Sequence, residues 1–468
     1  MPRILMVASE ATPFAKTGGL ADVVGSLPRA LLELGHQTAV VMPRYGNIAT
    51  HDWTQAWRNV VVYLGRHAIS CDIWSKIERG VTFFLVDCPW LFDRWGYYGH
   101  PDDHLRFGAL SQAVLAVIRL LWRPDIVHLH DWQSALVAPY LKTRFAADPT
   151  FHGIKIVYTI HNLEHQGRFG RAVFDELNLD PWLMRPDFME YFGDVNLMKG
   201  GIAFSDAITT VSPRYAAEIR TPEFGCGLDG FLGRHADKLR GILNGADYEE
   251  WNPATDPHLA AHYDRDNLAG KTECKRDLLR EFGLPLDNMD RPVLGIVSRM
   301  AKQKGFDLLA SAAWEMMNDD VCLAVVGSGE QRYEDLFRGL ASAFPGRVAA
   351  YFGFNNKLAH KVEAGADIFL MPSLFEPCGL NQIYSLRYGT IPVVRATGGL
   401  DDTVDGGTGF KFWGYWPHDF LLATRAALDE YRRPEEWTAR MRRAMDRDFS
   451  WSASAKMYSD LYRGLLGR

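Results

Sequence analysis

Short apolar runs alternate with longer stretches of helical periodicity along this chain. The first run, residues 3–9, has no polar alternation, which is typical of a strand buried on both faces of a parallel sheet. Apolar residues then recur at helical spacing from Leu20 to Leu34, and Gly35 provides a natural helix stop. The intervening segment, Lys16-Thr17-Gly18-Gly19, is therefore predicted to be a strand-to-helix turn.

The same alternation continues through both halves of the chain. Further strands are predicted at 37–42, 60–64, 81–86, 125–132, 155–160 and 206–212, and then at 293–298, 321–326, 348–352, 368–371 and 391–394. Residues 244–270 are rich in Asn, Asp, Pro and His with little periodicity, which indicates a domain boundary, and residues 421–466 have the pattern of helices only. The fold class predicted is α/β, with two doubly wound, Rossmann-like domains whose carboxyl edges face each other across a cleft, followed by C-terminal helices.

The turn at Lys16 has the chemistry of an anion site. Gly18 and Gly19 allow the backbone to approach a ligand, the helix start offers unpaired N–H groups, and Lys16 adds a full positive charge. These features favour a phosphate. A tight turn with a surface lysine fits the same residues equally well.

Composition narrows the classes of partner. The 468 residues carry a formal net charge of -6 without a long basic run, so nucleic acid and anionic membranes are poor candidate partners. No apolar run has membrane-spanning length, and Met1-Pro2-Arg3 leads straight into a strand rather than a signal peptide. The six cysteines form no C-x-x-C pair, which favours reduced thiols and a cytoplasmic location.

Most of the unusual polar residues follow predicted strands, where doubly wound sheets bind ligands. They are Lys16, His130, Asp131 and His161 in the first half, and Arg299, Lys304, Glu376 and Thr397-Gly398-Gly399 in the second. Arg299 and Lys304 straddle one turn and could bind a diphosphate, or they could be solvated charges at a helix start. Gly398 and Gly399 form a second candidate anion-binding turn.

The same residues suggest two other chemistries. His128 and His130 share a face of a strand, as the first two ligands of some metal sites do. No H-E-x-x-H or C-x-x-C spacing supports a metal, however. Cys378 beside Glu376 could be a nucleophile, yet a small buried thiol or a hydrogen-bonding neighbour of the ligand is the favoured interpretation. We therefore expect no metal site.

Seven motifs together resemble one family. They are Lys-Thr-Gly-Gly-Leu-Ala-Asp-Val at 16–23, His-Asp-Trp at 130–132, His-Asn at 161–162, Asn-Gly at 244–245, Ser-Arg and Gln-Lys-Gly within 298–305, Phe-Glu-Pro-Cys-Gly-Leu at 375–380 and Thr-Gly-Gly-Leu at 397–400. The chain is similar to bacterial glycogen synthases of the starch synthase type, which are retaining glycosyltransferases with the two-domain GT-B fold. The match runs from residue 3 to beyond 450 in the family's order and spacing.

The resemblance implies domains at 1–243, on the glucan acceptor side, and 244–450, on the ADP-glucose donor side, with a helix at 451–468 packing back on the first. It implies glucose transfer from ADP-glucose to the non-reducing end of glycogen or a maltooligosaccharide, with no cofactor. The catalytic residues it implies are His161, Arg299, Lys304 and Glu376. The substrate-binding residues it implies are Lys16, Gly18, Gly19, Tyr98, Asp131, Asn162, Asn244, Phe354, Cys378, Gly379, Leu380, Tyr384, Thr397, Gly398 and Gly399.

Three positions depart from the wider pattern. Tyr384 stands where the broader superfamily often has a second Glu, which supports the narrower assignment to glycogen synthases. Phe354 replaces a common tyrosine near the adenine, and Tyr98 is displaced from the family's loop tyrosine. The alternatives are a UDP-glucose-dependent or small-acceptor enzyme of the same fold, a non-catalytic glucan-binding protein, and a metallohydrolase through His128 and His130.

Overall fold

The structure is a computed structural model that describes residues 1–467, and the chain divides into two compact units. Unit 1 comprises Met1–Val211, Ala216–Gly245 and the segment from Trp451 onward, and unit 2 comprises Ser212–Tyr215 and Ala246–Ser450. Within residues 1–467, no helix combines the length and the apolar character needed to cross a membrane.

Unit 1 is built on a nine-stranded sheet with a separate three-stranded sheet beside it. Its strands are β1 Arg3–Val7, β2 Gln37–Pro43, β3 Thr54–Leu64, β4 His67–Glu78, β5 Val81–Asp87, β6 Ile126–His130, β7 Lys155–Ile160, β8 Arg168–Phe169, β9 Glu190–Tyr191, β10 Asp194–Asn196, β11 Ala207–Thr210 and β12 Leu239–Gly241. The large sheet has the order β12-β11-β7-β6-β1-β2-β5-β4-β3, and β8, β10 and β9 form the small one.

Unit 2 is a six-stranded parallel sheet in the order β15-β14-β13-β16-β17-β18. Its strands are β13 Val293–Val297, β14 Cys322–Gly327, β15 Val348–Phe352, β16 Ile368–Met371, β17 Ile391–Arg395 and β18 Phe410–Phe412. Successive strand residues enter different cores, since Leu323 and Val325 pack in one apolar cluster while Cys322 and Ala324 pack in another. Helices therefore cover both faces, as a parallel sheet requires.

The helices are numbered along the whole chain. They are α1 Gly19–Glu33, α2 Pro89–Phe92, α3 Asp103–Leu120, α4 Asp131–Ser134, α5 Val137–Pro139, α6 Leu197–Phe204, α7 Pro213–Glu218, α8 Asp229–Arg234, α9 Ala269–Glu281, α10 Phe306–Met316, α11 Gln331–Ala343, α12 Asn356–Gly365, α13 Asn381–Arg387, α14 Gly398–Thr403, α15 Pro417–Tyr431, α16 Pro434–Met445 and α17 Trp451–Leu465. Short 3₁₀ or π turns lie at Tyr140–Arg144, Pro149–Phe151, Arg171–Leu177, Pro181–Leu183, Leu286–Asn288 and Lys302–Lys304.

The prediction of two doubly wound α/β domains is confirmed, including the turn between β1 and α1 and the helix stop at Gly35, whose φ is 84°. One part of unit 1 was not predicted. The predicted strand at 60–64 is the end of the longer β3, which forms an antiparallel hairpin with β4, and β4 pairs antiparallel with β5. The strands β3 and β4 therefore extend an otherwise parallel sheet at one edge.

Helix α17 belongs to unit 1 and packs against α1. Its Ser459 hydroxyl lies 2.7 Å from His36 Nε2, and its Tyr462 hydroxyl lies 2.8 Å from His128 Nδ1 on β6. Both Tyr462 and His128 are fully buried. The C-terminal helix is thereby bonded to a central strand of the sheet.

We expect Tyr462→Phe to lower the free energy of unfolding by about 1–3 kcal/mol, because it leaves a buried imidazole nitrogen without its hydroxyl partner. Urea denaturation followed by circular dichroism measures the change. Tyr63→Phe is the matched control, since Tyr63 is 58% exposed and loses no buried bond. Equal stability of the two variants would contradict the importance of this contact.

Candidate functional site

The predicted residues of unit 1 gather at the carboxyl ends of three adjacent strands. Strands β1, β6 and β7 are neighbours in the order β7-β6-β1. The Lys16 turn follows β1, His130 ends β6 and begins the turn to Asp131, and His161 follows β7 directly. Their common placement at one sheet edge follows from the parallel pairing of the three strands.

The Lys16 turn is held by a buried carboxylate that sequence reasoning missed. Glu10 is only 2% exposed, and it accepts hydrogen bonds from the backbone N–H and the hydroxyl of Thr17, the latter at 2.7 Å. It also accepts one from the hydroxyl of Tyr98. Tyr98, predicted to bind substrate, thus has its hydroxyl bonded to the support of the turn. The sequence signal for Glu10 was its position three residues after β1.

The turn itself presents an open surface. A Cβ atom added at Gly18 or Gly19 would meet nothing within 4 Å, so a ligand can approach this backbone closely. Neither glycine has a positive φ, and their role is therefore space rather than a left-handed turn. Lys16 is half-exposed, and its ammonium pairs with Asp22 at 2.7 Å.

Asp131 fixes the backbone that carries His161. Its Oδ1 accepts the His161 backbone N–H at 2.7 Å, and Asp131 has a left-handed φ of 55°, rare for a residue other than glycine. Burial raises the pKa of the Asp131 carboxyl to about 7. This strained, buried carboxyl is typical of a functional position.

The His161 ring lies at the end of a group of histidines. Its Nε2 lies 3.0 Å from His130 Nδ1, and the rings of His130 and His128 are in tilted contact, with centroids 4.2 Å apart. Burial lowers the pKa of His161 and of His128 to about 3, and that of His130 well below its usual value. All three rings are therefore neutral at neutral pH.

The two asparagines predicted in unit 1 differ in their surroundings. The side-chain Oδ1 of Asn162 accepts the backbone N–H of Glu164 in a local turn. Asn244 is 6% exposed, and no group within residues 1–467 hydrogen-bonds its Oδ1. The buried amide oxygen of Asn244 is thus an unused acceptor in this structure.

In unit 2 the predicted residues follow the central strands β13, β16 and β17. The Lys304 ammonium lies 2.6 Å from Glu376 Oε2, and the Ser373 hydroxyl donates to the same oxygen at 3.2 Å. The Glu376 side chain is 6% exposed, whereas that of Lys304 is 23% exposed. An ammonium has three N–H donors, so Lys304 can bind Glu376 and a further anion together.

Arg299 precedes Lys304 by five residues and is solvent-exposed. Its guanidinium donates to Gln303 Oε1 at 3.3 Å. Gly305, which ends the Lys304 turn, has a φ of 78°, and a Cβ there would lie 1.9 Å from the Pro372 carbonyl oxygen. The glycine therefore lets the Lys304 turn pack tightly against the segment after β16.

The second glycine turn differs from the first in its packing. A Cβ at Gly398 would lie 1.9 Å from the Glu376 carbonyl oxygen, and one at Gly399 would lie 2.0 Å from that of Cys378. The Gly399 N–H donates to the carbonyls of Glu376 and Pro377. These glycines bring the turn after β17 against the Glu376 backbone, and anion binding by this turn stays a prediction.

The remaining predicted residues of unit 2 surround Glu376 or lie farther along the edge. Cys378 is buried, Gly379 has a φ of 72°, and Leu380 precedes α13. Tyr384 is buried, and its ring stacks on Trp251 at 4.0 Å. Phe354, after β15, is 88% exposed and available to stack on a flat ligand.

Comparison with known proteins identifies the family. Residues 3–234 match the family described as starch synthase catalytic domain, and residues 283–444 match glycosyl transferases group 1. The chain is 48% identical to a glycogen synthase of Koribacter versatilis (strain Ellin345), covering 98% of this chain and 97% of that protein. It is 49% identical to a glycogen synthase of Anaeromyxobacter dehalogenans (strain 2CP-C), covering 99% of each.

Comparison with solved structures supports the same family. The catalytic domain of starch synthase IV from Arabidopsis thaliana, bound to ADP and acarbose, matches with a TM-score of 0.92 and 34% identity over all of both chains. A sucrose-phosphate synthase from Thermosynechococcus elongatus matches with a TM-score of 0.64 at 18% identity, which shows the fold alone. The GT-B-type fold implied by the motifs is confirmed, and the chain is a hexosyltransferase that belongs to the glycogen synthase and starch synthase family.

Proposed function

We propose that this enzyme transfers glucose from ADP-glucose to the non-reducing 4-hydroxyl of an α-1,4-glucan, with retention of the anomeric configuration. The observation that carries the proposal is the Lys304–Glu376 pair, 2.6 Å apart at the carboxyl edge of the unit 2 sheet. The names of the relatives support glycogen as the product. The starch synthase IV that carries ADP and acarbose supports a nucleotide donor and a glucan acceptor.

A diphosphate leaving group determines the chemistry that the protein must supply. The ADP that departs is a stable anion, so it needs positive charge rather than a protein acid to protonate it. In the proposal Lys304 and Arg299 stabilise this charge from unit 2. Lys16 and the open N–H groups at Gly18 and Gly19 stabilise charge from unit 1.

Glu376 has the role of a charge partner rather than an acid. Its carboxylate is buried and paired with the Lys304 ammonium at 2.6 Å, an arrangement that suits a counter-charge. A glycosidase with retention would need two carboxyl groups about 5–5.5 Å apart. In the proposal Glu376 binds glucose hydroxyls and stabilises the positive charge that develops at the anomeric carbon.

The remaining residues hold the substrates. Asp131, Asn162 and Asn244 bind sugar hydroxyls, and the buried, unused oxygen of Asn244 supports this role. His161 faces the sugar through its ring or its backbone carbonyl. Contacts to the nucleotide and to the glucose come from a set of unit 2 residues: Phe354, Cys378, Gly379, Leu380, Tyr384, Thr397, Gly398 and Gly399.

In the proposal, the donor substrate itself accepts the proton of the acceptor hydroxyl. The bond between the anomeric carbon and the diphosphate oxygen breaks, and the acceptor oxygen attacks on the same face. Its proton passes to that phosphate oxygen. His161 is a poor base for this step, since burial lowers its pKa to about 3.

The direct test offers the purified enzyme ADP-glucose or UDP-glucose, each with glycogen or a maltooligosaccharide. We expect α-1,4 chain growth from ADP-glucose on both acceptors, and little from UDP-glucose. A soluble disaccharide as the sole product, or glycogen binding without transfer, would contradict the proposal.

Lys304→Ala should reduce turnover by about 10²–10³-fold, the scale for losing one group that stabilises transition-state charge. Lys302→Ala is the matched control, because Lys302 lies in the same 3₁₀ turn with an exposed side chain. We expect it to keep nearly full turnover. Because Lys304→Ala leaves a buried carboxylate unpaired, circular dichroism of each variant checks folding. A folded Lys304→Ala enzyme that loses less than tenfold would show that the role is wrongly assigned.

A further inference from the structure

The hydrogen bond between two neutral histidines, His130 and His161, has a direction that the structure can assign. Each neutral imidazole carries one N–H and one bare nitrogen, so in the contact at 3.0 Å one ring donates and the other accepts. The direction of this hydrogen bond decides whether the other nitrogen of His161 is a donor or an acceptor for a ligand.

The surroundings of His130 decide between the two directions. His130 is fully buried, and within residues 1–467 no group hydrogen-bonds its Nε2. If His161 donated, His130 would carry its proton on Nε2 and bury an N–H without a partner. If His130 donates from Nδ1, its Nε2 is only a bare lone pair. Orphaned buried N–H groups are the rarer and costlier case, so His130 is the donor.

The position of His130 is itself fixed. It ends β6 in register with Thr159 on β7, and its backbone carbonyl accepts the Ser134 hydroxyl at 2.9 Å. Its ring contacts that of His128, with the two planes tilted by 35°. The two nitrogens of His128 lie 2.6 Å from the Thr159 hydroxyl and 2.8 Å from the Tyr462 hydroxyl. The donor to His161 therefore has little freedom to turn.

We propose that His130 is a positioning residue that holds His161 in its Nδ1–H tautomer, so that His161 presents an N–H donor to a hydroxyl of the reacting sugar. The His161 side chain is partly exposed, and its Nε2 is occupied by His130, which leaves Nδ1 as the nitrogen for a ligand. The second half of this statement rests on the proposed function, in which His161 faces the donor sugar. The tautomer itself does not.

Nitrogen-15 NMR of enzyme labelled at histidine measures the tautomer directly, and the His161 signals are assigned by their loss in His161→Gln. We expect wild-type His161 to carry its proton on Nδ1. A proton on Nε2 would overturn the proposal. This readout needs no activity, so it stands even if ADP-glucose transfer is not observed, and that absence would count against the proposed function alone.

Two substitutions of similar shape separate positioning from packing. His130→Asn keeps an N–H near the Nδ1 position, whereas His130→Leu removes it. We expect His130→Leu to shift the His161 proton toward Nε2 and to lower kcat by about 10–100-fold, the usual effect of losing a partner that orients a histidine. His130→Asn should restore both the Nδ1–H signal and most of the turnover.

Tyr462→Phe is the control for general disturbance, since it removes a bond to the neighbouring His128 and none to His161. Because the Thr159 hydroxyl still holds the other nitrogen of His128, we expect the His161 spectrum and kcat to stay unchanged. Unchanged His161 signals and turnover in a folded His130→Leu enzyme would contradict the proposal. If His130→Leu fails to fold, the spectra of the wild type and of His130→Asn still test it.

Discussion

Parallel strands all end at the same edge of a sheet, and the chemistry of this enzyme depends on that constraint. In unit 1, β1, β6 and β7 bring Lys16, Asp131 and His161 to one edge although up to 145 residues of chain separate them. In unit 2, β13 and β16 bring Lys304 and Glu376 within 2.6 Å. Each residue comes from a turn whose strand is anchored by buried apolar side chains, so the polar groups are held by a rigid scaffold.

The same constraint gives the glycines two different roles. At Gly18 and Gly19 the missing side chains leave open space beside a helix start, which a ligand can enter. At Gly305, Gly398 and Gly399 they let separate turns touch, since any Cβ would collide with a carbonyl oxygen of the neighbouring segment. The Glu376 segment is therefore enclosed by glycine turns on two sides, and its carboxylate keeps its place relative to Lys304.

Much of the fold follows from the sequence because buried parallel strands are unbroken apolar runs. The turn at Lys16 and the strand ends at His130, His161 and Arg299 could be predicted in this way. Strand β4 could not, because many of its side chains are exposed although it lies between β5 and β3, and its mixed pattern, HAISCDIWSKIE, has little apolar signal. A strand of an antiparallel segment that is not buried on both faces needs fewer apolar residues, so its sequence pattern predicts it poorly.

The contacts inside the site were harder to predict than its members. Spacing places His128 and His130 on one face, and their rings are in contact, but the Tyr462 hydroxyl that holds His128 comes from 334 residues away. Glu10 and Ser373 carry no motif of their own, and only three-dimensional structure shows that they hold Thr17 and Glu376. Side-chain networks between distant segments leave no periodic trace in a sequence.

The central claim is that a single buried carboxylate and a diphosphate-binding set of cations achieve transfer on one face of the sugar. The configuration of the newly formed linkage tests this most directly. Proton NMR of the product, recorded immediately after transfer from α-configured ADP-glucose to a maltooligosaccharide, distinguishes the two anomers. The account predicts a new α-1,4 linkage, and a β-linked product would contradict it.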